Sequence, residues 1–196
     1  MTLCSQRLVY TLKMYLAMLL LDKASTLKMR GYWRVLREAG LPTLSEAWEP
    51  HISLAAFEVS DEARLLKDVA GVSRGVGRFE LRFDALGTFP RGVVYAAPTP
   101  TLALLELQAK LYQVLNVYAQ FDKPFYAPGR WTPHCSLLLN ASRREVGAGL
   151  ELLLRDWQPI TAQVRGLTLV RVAADMPNAP GHNVLYRGFH TGHKVS

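Results

Sequence analysis

Cysteine is nearly absent from this chain. Only Cys4 and Cys135 occur in 196 residues, which rules out a disulfide framework or a cysteine-built metal centre. Both are read as free thiols in a reducing compartment, so a cytoplasmic location is expected. No C-x-x-C, His-Glu-x-x-His or Ser-x-x-Lys is present. Gly71–Gly77 is glycine-rich, but it ends a helical pattern instead of opening one. That does not fit phosphate cradling at a helix N-terminus. Low-complexity segments are missing too. No apolar run approaches bilayer-spanning length. Residues 14–21 come nearest, but the run stops at Asp22-Lys23 and no small-x-small cleavage site follows. It is therefore read as a buried strand, and no membrane association is expected.

What is present is an apolar content of 49%, enough for an ordinary core, and a net charge of +7. Disorder needs few apolar residues together with high charge, and that combination does not occur. The positive balance favours an anionic partner: nucleic acid, nucleotide or another phosphate. Residues 1–13 read as an added arm, with Met14 a natural start. Residues 14–196 read as a single domain.

The chain repeats one short stretch. Trp48-Glu49-Pro50-His51-Ile52-Ser53-Leu54 returns as Trp131-Thr132-Pro133-His134-Cys135-Ser136-Leu137. The surroundings repeat as well. Strands are expected at Tyr15–Leu21, His51–Val59, Phe79–Phe83, Val93–Ala97, His134–Leu139, Ile160–Val164, Leu167–Val172 and Val184–His190. Helices are expected over 24–39, from Ser60-Asp61-Glu62 to about 70, over 101–118, and from Ser142. Their apolar faces read as Leu27, Tyr32, Val35 and Leu36; Leu65, Leu66 and Val69; Leu104, Leu105, Leu111, Leu115 and Tyr118; and Val146, Leu150, Leu153 and Leu154. Gly40 stops the first helix, Gly87 marks a turn, and Gly166 separates two strands. Two copies of one strand–helix–strand–helix unit predict an α+β fold with mainly antiparallel sheet. Two lobes related by a pseudo-two-fold axis are expected to line a central cleft, with helices outside.

On a strand, residues i and i+2 share a face and lie about 7 Å apart. His51 and Ser53 therefore point one way, and so do His134 and Ser136. Ile52 and Cys135 point the other way, into packing, which makes Cys135 a poor nucleophile. A pseudo-two-fold axis brings two imidazoles and two hydroxyls around one cavity. One imidazole can take a proton from water while the other gives one to a leaving alkoxide. The hydroxyls can donate to the oxygens of a phosphate. This is a metal-free set for cleaving a phosphodiester, and no cofactor is expected.

These paired His-x-Ser-Leu motifs in a duplicated chain of this size resemble the 2H phosphoesterase superfamily. Within it, the chain is similar to the 2′-5′ RNA ligase / RNA 2′,3′-cyclic phosphodiesterase branch, from roughly Met14 to His190. The resemblance implies His51 and His134 as the catalytic pair and Ser53 and Ser136 on the phosphate, where many members have Thr. It implies action on 2′,3′-cyclic or 2′-5′ phosphodiesters of RNA or nucleotides. Arg130, just before the second motif, is a candidate phosphate contact, against a solvated loop charge. Tyr95, on a short strand, is expected to face the cleft, and Tyr126 is a weaker candidate for the substrate. Trp48 and Trp131 either stack a base or pack behind the strands. His182, His190 and His193 have no repeat partner and are read as surface residues. A monomer is expected. The competing readings keep the chemistry on a small cyclic nucleotide, a 2′-5′ oligoadenylate or an ADP-ribose cyclic phosphate, or keep only the cleft, as a non-catalytic RNA-binding module.

Overall fold

Asp22 both ends the first strand and starts the first helix. In the computed structural model, which describes residues 13–121, 124–172 and 182–188, β1 spans Lys13–Leu21 and α1 spans Lys23–Glu38. The Asp22 carboxylate accepts from the Ser25 amide and hydroxyl, at 3.0 and 2.7 Å, which satisfies a free amide of the first turn. Gly40 has φ 74°. In that conformation its amide reaches the Arg37 carbonyl and the next amide reaches Leu36, closing the helix as expected. The buried face of α1 is Ser25, Met29, Trp33 and Leu36. Leu27 and Val35, expected inward, are exposed. The stripe is set by Met29 and Trp33, which reach furthest into the core.

The remaining elements follow in order. They are β2 (His51–Val59), α2 (Glu62–Arg74), β3 (Glu80–Phe89), β4 (Val93–Pro98), α3 (Leu102–Leu115) and β5 (Gln120–Phe121). Then come β6 (Cys135–Leu138), α4 (Arg143–Asp156), β7 (Ile160–Val172) and β8 (His182–Arg187). A single 3-10 turn, Pro124–Tyr126, precedes β6. Ser142 and Glu145 form a reciprocal capping box at the start of α4.

Both glycine readings inside strands are corrected. Gly87 lies within β3, and Gly166 lies within a continuous β7. Gly87 pairs with Tyr95 of β4 and Gly166 with Leu20 of β1, so pairing overrides the local turn signal. Leu105 and Leu154 are exposed, not inward; Gln108 and Gly149 are buried in those helices instead. The last strand begins at His182. Its expected end at His190, together with His193 and residues 1–12 of the arm, lies outside the described residues, while Lys13 already belongs to β1.

All eight strands form one open antiparallel sheet, ordered β5-β2-β1-β7-β3-β4-β6, with β8 also on β7. β7 joins the two halves. Ile160–Gln163 pair with β3, while Val164–Val172 pair with β1. β8 takes the other edge of β7 from Thr168 onward. The fold is thus the expected antiparallel α+β type, with one exchange that the repeat did not reveal. α1 packs on β6 beside α4, and α3 packs on β2 beside α2. Each half of the chain sends one helix to the motif strand of the other.

Candidate active site

His51 opens β2. It and Ser53 are half-buried, while Ile52 and Leu54 between them are fully buried. The second motif copies the pattern: His134 and Ser136 are half-buried, Cys135 and Leu137 buried. Period two therefore selects the same face in both copies. His134 stands one residue ahead of β6, where the sequence had placed it inside the strand.

Both imidazoles are held in the same way. His51 Nδ1 lies 2.7 Å from the Glu49 carbonyl, and His134 Nδ1 lies 2.8 Å from the Thr132 carbonyl. A carbonyl can only accept, so Nδ1 carries the proton and donates in each case. Nε2 is then the free lone pair of each neutral ring. Burial pushes the His51 pKa from 6.5 down to about 4, opposed by the Glu49 carbonyl bond and aided by the charge of His134. The charge of His134 thus reaches the His51 ring. Burial lowers His134 too, against the pull of its Thr132 bond.

β2 pairs with β1 and, only at Phe57 and Glu58, with β5, while β6 pairs with β4; the two motif strands lie in contact without a ladder between them. Side chains from elsewhere close the gap. Trp131 Nε1 donates to the Ser53 carbonyl at 3.1 Å, and Trp33 Nε1 of α1 donates to the Ser136 carbonyl at 3.0 Å. Gln108 of α3, almost fully buried, donates through Nε2 to the Tyr126 carbonyl at 2.6 Å and the Leu54 carbonyl at 3.4 Å. It links the first motif strand to the loop that leads into the second motif. Cys135 rests against the His51 backbone, and burial pushes its thiol up to about 12.

The walls differ. Beside the second motif, Tyr95 sits directly opposite Ser136 in the ladder. Its ring stacks on Phe89 at 4.4 Å and lies 5.4 Å from the His134 ring, which Phe89 meets edge-on at 4.9 Å. Gly87 is the other neighbour of Tyr95. A Cβ there would stand 2.4 Å from the tyrosine ring, so only glycine admits this ring. Beside the first motif, Trp48 lies 5.6 Å from His51 and 4.1 Å from His182. His182, read as a surface residue, is therefore part of the wall.

Among the other candidates, Arg130 is exposed on the loop before the second motif, and Tyr126 is buried. Trp48 and Trp131 are 1% and 9% exposed. Of the two readings for these tryptophans, the structure supports packing, since neither ring leaves a face open for a base. Trp33, Gln108, Phe89 and His182 were missed. Phe89 was findable only by extending β3 through Gly87, whereas Tyr95 was legible on its own short strand; the others depend on the helix exchange and on β8. Among the described residues, no group of three or more His, Cys, Asp or Glu could hold a metal ion. No helix among them is long and apolar enough to cross a membrane.

Solved phosphoesterases share this fold. Escherichia coli LigT complexed with 3′-AMP has a TM-score of 0.64 at 18% identity, covering 92% of this chain and 99% of its own. A structure described as a phosphoesterase gives 0.61 at 22% identity, covering 90% and 97%. The MHV ns2 PDE domain gives 0.51 at 16%, covering 83% and 99%. At such identities the likeness establishes the fold. LigT has also been crystallised with NADP+, ATP and phosphate. No curated protein matches the sequence. Residues 25–175 match the profile of the 2′-5′ RNA ligase superfamily, and the chain belongs to that family.

Proposed function

We propose that this protein is a metal-independent phosphodiesterase that hydrolyses 2′,3′-cyclic phosphate ends of RNA to 2′-phosphates, with weak 2′-5′ ligation as a related activity. The observation that carries the reading is the matched pair of imidazoles. Each is locked by Nδ1 to the carbonyl two residues back, and each has a serine on the same face. Family membership supports action on phosphodiester bonds, and the nucleotide complexes of LigT support a nucleotide-type ligand.

In the proposed reaction Ser53 and Ser136 donate to the non-bridging oxygens. His51, the ring less able to hold a proton, takes one from water through Nε2. The water oxygen bonds to phosphorus, the bond from phosphorus to O3′ breaks, and protonated His134 delivers its proton to O3′. Tyr95 holds the His134 ring from the side. Arg130 is free to meet the anion from the loop.

The test is turnover of RNA ending in 2′,3′-cyclic phosphate by wild type, His51→Ala and His134→Ala, with product regiochemistry read out. Each variant is expected to lose about 10²–10⁴-fold, and wild type to keep its rate in EDTA. Activity that vanishes with chelator or survives His51→Ala sinks the reading. A panel of cyclic nucleotides, 2′-5′ oligoadenylate and ADP-ribose cyclic phosphate fixes the substrate.

A further inference from the structure

The two copies of the motif differ at one position that matters for charge. Where the second has Thr132, the first has Glu49, and two arginines meet it. Arg165 Nη2 lies 3.2 Å from Glu49 Oε2, and Arg187 Nη2 lies 3.7 Å from Oε1. Arg165 and Arg187 come from the paired C-terminal strands β7 and β8, and both keep more than a third of their side chains in solvent. Two guanidiniums bring ten N–H donors to a single carboxylate. The cluster is therefore a net cation with most of its donors free. Arg171, by contrast, is committed: it sits 3.1 Å from Glu62, which also accepts from the Tyr15 hydroxyl.

The ladder places this cluster relative to the site. Ser53 pairs with Met18, Met18 with Thr168, and Thr168 with Arg187. Partners in register share a face, so Arg187 rises from the same face as Ser53. Three strand spacings put the two Cα atoms about 14 Å apart. Glu49 draws the guanidiniums back toward the motif, because its own carbonyl is the one that holds His51. The cations thus meet the residue whose carbonyl holds His51.

We propose that Arg165 and Arg187, held by Glu49, form a second anion subsite that takes a non-scissile backbone phosphate of an RNA strand. The subsite gives preference for an oligonucleotide end over a mononucleotide. Guanidinium forks suit phosphate oxygens bidentately, and a cation row beside a cleft tracks a single strand. This inference rests on the reading above for its substrate class.

The experiment compares kcat/KM on a mononucleotide 2′,3′-cyclic phosphate and on a short RNA ending in the same group, in wild type, Arg165→Gln, Arg187→Gln and the double variant. The quantity read is the ratio of oligonucleotide to mononucleotide kcat/KM. Wild type is expected to favour the oligonucleotide, the double variant to lose about tenfold or more of that ratio, and the salt slope of oligonucleotide binding to fall by about one for each arginine removed. A wild-type ratio near unity, or a ratio unmoved by both substitutions, overturns the subsite. If wild type turns over no cyclic phosphate, the proposed reaction fails by itself. Equilibrium binding of single-stranded RNA by wild type and the double variant then decides the subsite. Equal affinities overturn it, and weaker, less salt-dependent binding by the variant supports it.

Discussion

The Trp131 indole donates to the Ser53 carbonyl over 3.1 Å, so the second motif holds the strand edge of the first. The Trp33 indole does the same for Ser136. Both carbonyls belong to the residues proposed to grip the phosphate. Removing an indole N–H leaves a buried acceptor without its partner, at a cost of about 1–3 kcal/mol. Trp131→Phe deletes the donor and leaves a smaller aromatic ring in its place. It is expected to lower unfolding free energy by that amount and to reduce kcat more than KM, because the Ser53 edge is released. Equal stability to wild type in denaturant titration would show that the bond contributes nothing.

The depressed histidines set the pH behaviour. In the proposed roles His51 must be neutral and His134 protonated. His51 loses its proton near pH 4, and His134 loses its own below the ordinary 6.5. The kcat/KM profile is therefore expected to be bell-shaped with its maximum below pH 6.5. A maximum above pH 6.5 would overturn the lowered pKa values of the two rings. Stability carries the same signature. Between pH 4 and 6.5 the unfolded chain binds more protons than the folded one at His51, so stability is full above about 6.5 and falls as pH drops toward 4. His51→Asn is expected to flatten that fall in thermal melts.

Cys135 sits inside the second motif but faces the core. Its thiol is buried and pushed up to about 12, which leaves almost no thiolate at neutral pH. Native protein is expected to resist alkylation at Cys135, and Cys135→Ala to keep wild-type kcat. Rapid labelling of Cys135 with loss of activity would contradict this.

Gly87 is the seat of the Tyr95 ring. A methyl at Gly87 would overlap that ring and push it toward Phe89 and His134, its neighbours at 4.4 and 5.4 Å. Gly87→Ala is expected to cost about 1–3 kcal/mol of stability by overpacking, and to lower kcat because the His134 ring loses its side support. Pairing it with Tyr95→Ala removes the clash. Recovery of stability in the double variant is the check.

The sequence by itself determined the chemistry-bearing face. Strand periodicity put His51 with Ser53 and His134 with Ser136, turned Cys135 inward, and the repeat announced duplication; all of these are local consequences of backbone geometry. Asp22, Gly40 and Ser142 were legible as element boundaries because capping uses only nearby atoms. The tertiary structure alone decided what holds the two motifs together. Trp33 reaches Ser136 and Gln108 reaches Leu54 only because α1 and α3 cross to the opposite half, an exchange that no local period encodes. Gly87 reads as a break because its need for space comes from Tyr95 on another strand, and Gly166 reads as one because its ladder partner Leu20 is far away in sequence. Arg187 shares the Ser53 face through three ladder steps, a relation fixed by sheet register and not by distance along the chain.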